Sequence, residues 1–432
     1  MIFSLRDIVV TAIIFICLPY IIKNPSIGVL VWSWLGYMNP HKLSWGFAYN
    51  FPFAQIVALV TLVGLIFTKE PKKIPWTRET VLLLLFSLWT ILTTAAAMYH
   101  TEALREADRF WKIIFMTFIA MMVMGDKEKL QSWIWIIALS LGFYGIKGGI
   151  FTLITGGNNH VWGPEGTFIG GNNEIGLALI IAIPLLRYCQ IATQNHWLKR
   201  LLLICMILCV LAIVGTQSRG AYLGIMATLF FMLKNSRHKF TLLLVVALLI
   251  PAVYLYMPAS WHERMASISK FYKDGSALGR INAWWMAFYL ASDRFFGGGF
   301  QCFQKASFAI YAPDPMDIHD AHSIYFEVLG EQGFLGLALF ILLLLSAWRS
   351  CRWIMKKTKS KEELKWAYDM AAMVQVSLLG YMISGAFLGL AYFDLYYNLI
   401  ALIVLIKVIV HRVLVGEVQI KEKVFIRTCQ DP

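Results

Sequence analysis

Apolar runs long enough to cross a bilayer alternate along the chain with short polar connectors. They fall at 54–68, 80–99, 109–124, 130–154, 174–190, 198–215, 219–234, 239–257, 323–348, 367–390 and 395–412. A helix needs about 20 apolar residues to span the hydrocarbon core, so each run reads as one crossing. The first 38 residues hold two further runs divided at Pro25, each short for an independent crossing. They fit two thin crossings or one broken pair, giving 13 or 12 spans. Backbone groups in lipid must be paired within their own segment, which favours helices here. The pattern therefore predicts an all-α polytopic integral membrane protein of about 12 transmembrane helices. An N-terminal transmembrane bundle covers 1–257, a long loop 258–322, further transmembrane helices 323–415, and a tail 416–432.

Inside the loop, Ala277 to Ser292 has a helical pattern with Ser276 placed as N-cap. Trp284, Trp285, Phe288 and Tyr289 give it an aromatic surface, suited to an amphipathic helix in the interface plane. Gly297-Gly298-Gly299 follows as a flexible break.

Composition agrees with the span pattern. Hydrophobic residues make up 59% of the chain and charged ones 15%, with a mean hydropathy of +0.65; soluble domains carry about 25% charged residues. The first apolar stretch, Ile8 to Ile22, ends in Lys-Asn-Pro rather than a small-residue cleavage site, so it reads as retained. The net charge of +13 is concentrated in connectors, which the positive-inside rule explains better than nucleic-acid binding. Lys69, Lys72, Lys73, Arg78, Lys199, Arg200, Lys234, Arg237, Lys239 and the strip Arg349 to Lys365 mark the cytoplasmic side. Segments 155–173, 215–219, 258–322 and 391–394 then face outward. The loop is the exception, keeping Arg264, Lys270, Lys273, Arg280, Arg294 and Lys305 on the outer side. Anionic headgroups or diphosphates are natural partners for such cations. The seven cysteines lack metal-ligand spacing, and Cys205 and Cys209, one turn apart, read as small packed hydrophobes.

His322 is the leading candidate for chemistry. At about 100° per residue, a helix opening there would bring Gly333 within about 20° and Gly336 within about 40° of it. That face would carry an imidazole at its outer end and two glycines for close helix packing deeper in. A neutral imidazole can take a proton from a hydroxyl near neutral pH; a hydrogen-bonded interfacial histidine fits equally. Arg219, in a short outward turn, and Arg280, at the start of the loop helix, suit phosphate oxygens. Snorkelling to headgroups is the alternative for Arg219. Further substrate-binding candidates are Lys147 among glycines, Asn172 and Asn173 in the outward Gly166–Glu174 segment, Arg294, and Tyr325. Asp314, Asp317 and Asp320 beside His319 lack calcium-loop spacing and read as a solvated acidic strip. No nucleotide-binding, zinc-protease or serine-hydrolase motif occurs, so neither metal nor cofactor is expected.

Asp320-Ala-His322-Ser-Ile-Tyr through Glu331-Gln-Gly333-Phe-Leu-Gly336, following a long outward loop, resembles the signature of the O-antigen ligase and polymerase superfamily. Gln217-Ser-Arg219-Gly-Ala and Gly279-Arg280 through Trp284 occupy matching places. Trp34-Leu-Gly-Tyr-Met-Asn-Pro-His41 and Trp45-Gly-Phe-Ala-Tyr further resemble the exosortase A-associated O-glycosylation ligase branch. The resemblance implies a multi-pass bacterial inner-membrane glycosyltransferase that takes glycan from undecaprenyl diphosphate at the periplasmic face. A ligase passes it whole to a lipid A–core or protein hydroxyl, without metal. It also implies that His322 is the base and that Arg219 and Arg280 bind the diphosphate. A polysaccharide polymerase is the close alternative, and a lipid-linked glycan flippase the alternative of another class.

Overall fold

The computed structural model describes residues 4–235, 239–266 and 275–416. Arg237, Lys270, Lys273, Cys429 and the tail from 417 onward lie outside the described residues.

The regular elements among the described residues are all helical. The first half holds α1 (Leu5–Lys23), α2 (Pro25–Tyr37), α3 (Phe53–Phe67), α4 (Arg78–Ala95), α5 (His100–Val123), α6 (Lys127–Ile154), α7 (Asn172–Ala192) and α8 (His196–Gly215). After these come α9 (Arg219–Asn235), α10 (Lys239–Tyr256), α11 (Ala259–Ala266), α12 (Gly275–Asp293), α13 (Lys305–Tyr311), α14 (Ile324–Thr358), α15 (Lys365–Gly385) and α16 (Asp394–Leu414). Each predicted apolar run overlaps a helix, although the run 367–390 extends past the end of α15 at Gly385. At the N-terminus the two runs form two helices, because Asn24 ends α1 and caps α2: its Oδ1 accepts from the Ser26 amide at 3.2 Å, with Pro25 in the first turn.

Among the described residues, seven helices are long and apolar enough to cross a membrane: α1, α4, α6, α7, α8, α14 and α16. Phe53–Phe67, Arg219–Leu233 and Ala247–Tyr256 are apolar but shorter. The expected loop helix is present as α12, beginning two residues early at Gly275, so Ser276 lies in its first turn instead of capping it. The end of α14 is also displaced from expectation, since Arg349 to Lys357 continue the helix past the apolar run.

The core centres on α7, which α6, α8, α9 and α15 enclose, with α16 buried beside α14 and α5. Small residues permit the closest approach. Gly142, Gly145 and Gly149 of α6 lie against Cys205, Cys209 and the Leu208 carbonyl of α8, where any β-carbon at Gly149 would collide. Cys205 Sγ also donates to the Gly142 carbonyl at 3.7 Å. Lys147 sits on the other side of α6, exposed among Phe143, Ile146 and Ile150.

One buried polar network ties three helices together. Glu79 of α4, fully buried, accepts from Ser346 and Ser350 of α14 at 2.6 and 2.7 Å and from Lys407 of α16 at 3.1 Å. Its loss would leave the Lys407 ammonium without its counter-charge and both hydroxyls without their acceptor. Glu79→Ala is expected to cost about 2–4 kcal/mol, read as a lower unfolding midpoint in detergent. Glu79→Gln, which keeps an acceptor, should cost less.

Candidate functional site

The site starts from a break in α14. Gly333 takes φ 68° and ψ −176°, a conformation outside the helix and essentially closed to other residues. The carbonyls just before it therefore need donors from elsewhere. Gly298 and Gly299 amides supply them to Gly330 and Glu331 at 2.8 and 2.9 Å, and Trp89 Nε1 reaches the Gln332 carbonyl at 2.8 Å. The glycine triplet expected as a flexible break is thus pinned to the bend, with Gly297 and Gly299 at φ 69° and 77°. The continuous helical face expected from His322 to Gly333 and Gly336 is not formed, for two reasons. His322 precedes the helix with a left-handed φ of 41°, and Gly333 interrupts it. Both glycines still mark close approaches. A β-carbon at Gly333 would sit 2.5 Å from the Phe295 carbonyl, and one at Gly336 3.1 Å from Trp89 Nε1.

The segment entering His322 is held by α12. Asn282 clamps the loop through Asp314 and Asp317, donating to their carbonyls at 2.8 and 2.9 Å and accepting from the Asp314 amide at 2.9 Å. Trp284 donates to the Ala321 carbonyl at 2.7 Å and stacks on Phe326. The His319 ring lies over Gly279, next to Arg280 in sequence, and its Nδ1 is 2.9 Å from Asp317 Oδ1. Such anchoring on both sides explains how a non-glycine residue keeps a left-handed backbone that costs about 1–3 kcal/mol.

The elements that carry Arg219, Arg280 and His322 meet at the turn 386–393, between α15 and α16. Arg280 Nη1 donates to the Phe387 carbonyl at 3.4 Å. Gly220, which follows Arg219 at the start of α9, faces the Phe387 side chain so closely that a β-carbon would lie 2.9 Å from Phe387 Cβ. Two residues on, a β-carbon at Gly389 would lie 3.8 Å from His322 Cα and 3.5 Å from Glu327 Oε2. One short turn thus borders the elements carrying Arg219, Arg280 and His322. Glu174, at the start of α7, and Asp320 are within electrostatic range of each other, and Glu174 of Arg280.

His322 is half-buried, and this desolvation is the main force holding its imidazole below the ordinary histidine pKa. Arg280 and His319 push the same way, while Asp320 opposes them. The imidazole is accordingly neutral, and able to accept a proton, to a lower pH than a free histidine.

The remaining candidates serve elsewhere. Asn172 Nδ2 donates to the Thr216 carbonyl at 3.0 Å, steadying the turn before Arg219. Arg264 Nε reaches Gln217 O in the same turn at 2.9 Å. Arg294 binds the Gly297 and Ala96 carbonyls at 3.2 and 2.9 Å, fastening the glycine loop to α4. Tyr325 donates to the Met382 carbonyl at 3.0 Å, joining α14 to α15. Asn173, in the first turn of α7, is half-buried. Among the described residues no group of three or more His, Cys, Asp or Glu side chains is placed to hold a metal ion.

In the sequence, Glu174 and Glu331 stand out only as the ends of larger segments, and Glu327, Phe387 and Gly389 do not stand out. An acid within an apolar run is the signal for Glu327 and Glu331. Phe387 and Gly389 carry none, because their turn reads as the end of a span.

These features define a helical membrane protein with a histidine and two arginine-bearing helix starts gathered at one turn. Residues 204–341 match the family O-Antigen ligase, a stretch holding Arg219, Arg280 and His322, and this domain supports the chain's place in the O-antigen ligase superfamily. Residues 5–194 match a family of unknown function, DUF5935. No curated protein matches the chain. The family domain supports a ligase- or polymerase-like membrane glycosyltransferase, acting in general on a lipid-linked glycan and an acceptor.

Proposed function

We propose that the chain transfers a glycan en bloc from undecaprenyl diphosphate to an acceptor hydroxyl, lipid A–core or protein, at the periplasmic face of the bacterial inner membrane. The observation that carries this reading is the meeting of the Arg219, Arg280 and His322 elements at the turn 386–393. Arg219 and Arg280 hold the diphosphate and neutralise the charge that grows on it as the glycosidic C–O bond breaks. His322 takes the acceptor proton as the oxygen attacks the anomeric carbon, and a single displacement inverts that centre. The free energy comes from the lipid–diphosphate linkage, so no nucleotide is required. The N-terminal resemblance to the exosortase-associated branch favours a protein or surface-polymer acceptor.

The reading is tested with purified protein in proteoliposomes, given labelled undecaprenyl-diphosphate glycan with and without acceptor. Label should move to the acceptor in one block. Elongation of the donor without acceptor would assign a polymerase instead, and label crossing the membrane with no product a transporter. Arg219→Ala and Arg280→Ala should each raise the donor KM at least about tenfold, since each removes a charge-assisted phosphate contact of about 1.5–3 kcal/mol. Unchanged donor KM in both variants would remove these residues from the diphosphate site.

A further inference from the structure

Behind the turn 386–393 lies a cavity of about 210 Å³ that the mechanism above leaves unused. Gly389 forms part of its wall and also faces the His322 backbone, so the cavity adjoins the proposed reacting centre. Its polar lining includes Glu106, Glu327, Glu331, Arg109 and Gln301, with Phe168, Phe300 and Tyr392 among its aromatic walls. The polar groups do not exhaust one another. Glu331 is 4% exposed; its Oε1 accepts from the Gln301 amide at 2.7 Å. The other oxygen, Oε2, is buried without a hydrogen bond of regular geometry, with the Tyr392 hydroxyl alongside. A buried carboxyl oxygen in that condition costs about 1–3 kcal/mol unless a ligand or water completes it.

The chemistry of the lining narrows the occupant. A lipid tail gains nothing from three carboxyls and a guanidinium. A diphosphate would meet three carboxyls against one guanidinium, and that guanidinium already lies 3.5 Å over the Phe168 ring and 4.0 Å from Glu106. An uncharged sugar ring suits both halves of the lining. Its hydroxyls donate to carboxyl oxygens and accept from Arg109, while its C–H face packs on aromatic rings. The volume equals about seven waters at about 30 Å³ each, enough for one ring and too small for an oligosaccharide.

We propose that this cavity is a subsite for one uncharged sugar residue of a substrate glycan, held by Glu327, Glu331 and Arg109 against Phe168 and Phe300 beside His322. The proposal rests on the glycosyl-transfer reading and deepens it. The same ring chemistry has two possible sources, the sugar next to the donor diphosphate and the terminal sugar of the acceptor.

Saturation-transfer NMR on the full-length protein in nanodiscs, with methyl β-D-glucopyranoside, methyl α-D-mannopyranoside and methyl N-acetyl-β-D-glucosaminide, reads binding without turnover. At least one should bind the unaltered protein, whereas the anionic methyl β-D-glucuronide should not. Glu331→Gln, which keeps the acceptor for Gln301, and Gly389→Leu, which fills the cavity, should each weaken that binding about tenfold. Absence of binding by all three neutral glycosides, or binding unchanged in both variants, would overturn the subsite. In the transfer assay, a KM rise confined to donor or to acceptor identifies the source of the ring. A fall in kcat with both KM values unchanged would mark a merely structural role and also overturn the proposal. The two readings separate cleanly. Variant-sensitive glycoside binding without any transfer leaves the sugar site standing and removes glycosyl transfer. Transfer that depends on His322, with glycoside binding indifferent to both variants, removes only the subsite.

Discussion

His322→Ala is expected to slow transfer by about 10²–10⁴-fold, the usual worth of a positioned general base. Donor affinity should change little, because the variant removes no cation. The pH profile makes the assignment sharper than the loss alone. Burial and Arg280 hold the His322 pKa below its ordinary value, so kcat should hold its plateau to a lower pH than a free histidine would allow. It should then fall on the acid side, as the imidazole acquires its proton. Arg280→Ala removes a neighbouring cation that disfavours the imidazolium, so the acid limb, measured at saturating donor, should move to higher pH. A limb that stays in place, or normal transfer by His322→Ala, would show that another group accepts the proton.

The second large effect concerns shape. Gly333→Ala is expected to destabilise the protein by about 3 kcal/mol or more, adding a forbidden backbone conformation to a steric clash. The new β-carbon would sit 2.5 Å from the Phe295 carbonyl, which belongs to the loop that satisfies the bend. Relief by straightening α14 would break the Gly298 and Gly299 hydrogen bonds to Gly330 and Glu331. Unfolding midpoints in detergent should therefore drop sharply for Gly333→Ala. Gly125→Ala, at a position with open space around it, should leave the midpoint nearly unchanged. Equal midpoints for the two variants would contradict the role given to the bend.

The longest helices were legible because each is an apolar run of bilayer-like length, and α12 because its aromatic and polar residues repeat with helical period. His322, Arg219 and Arg280 were legible as candidates from their residue types at polar–apolar borders. The relation among them was not. An angular argument from His322 to Gly333 assumes one unbroken helix, and the break at Gly333 depends on Gly298, Gly299 and Trp89, all remote in sequence. The turn at 386–393 was hidden for a different reason. Ala386-Phe-Leu-Gly-Leu-Ala-Tyr is as apolar as a span, yet it forms the connection after α15 ends at Gly385. Likewise Asn172, Arg294 and Tyr325 carry side chains suited to a substrate, but they are taken up by backbone carbonyls, a choice that only tertiary contacts reveal.

The bend in α14 also bears on the order of assembly during synthesis. An α14 bent as in the folded protein but lacking its partners would leave carbonyls at Gly330, Glu331 and Gln332 unpaired in lipid, at a cost of several kcal/mol for each unsatisfied group. The donors that relieve them, Trp89, Gly298 and Gly299, all precede α14 in the chain. A ribosome therefore delivers the partners before the helix that needs them, and α14 can dock onto a receiving surface already made.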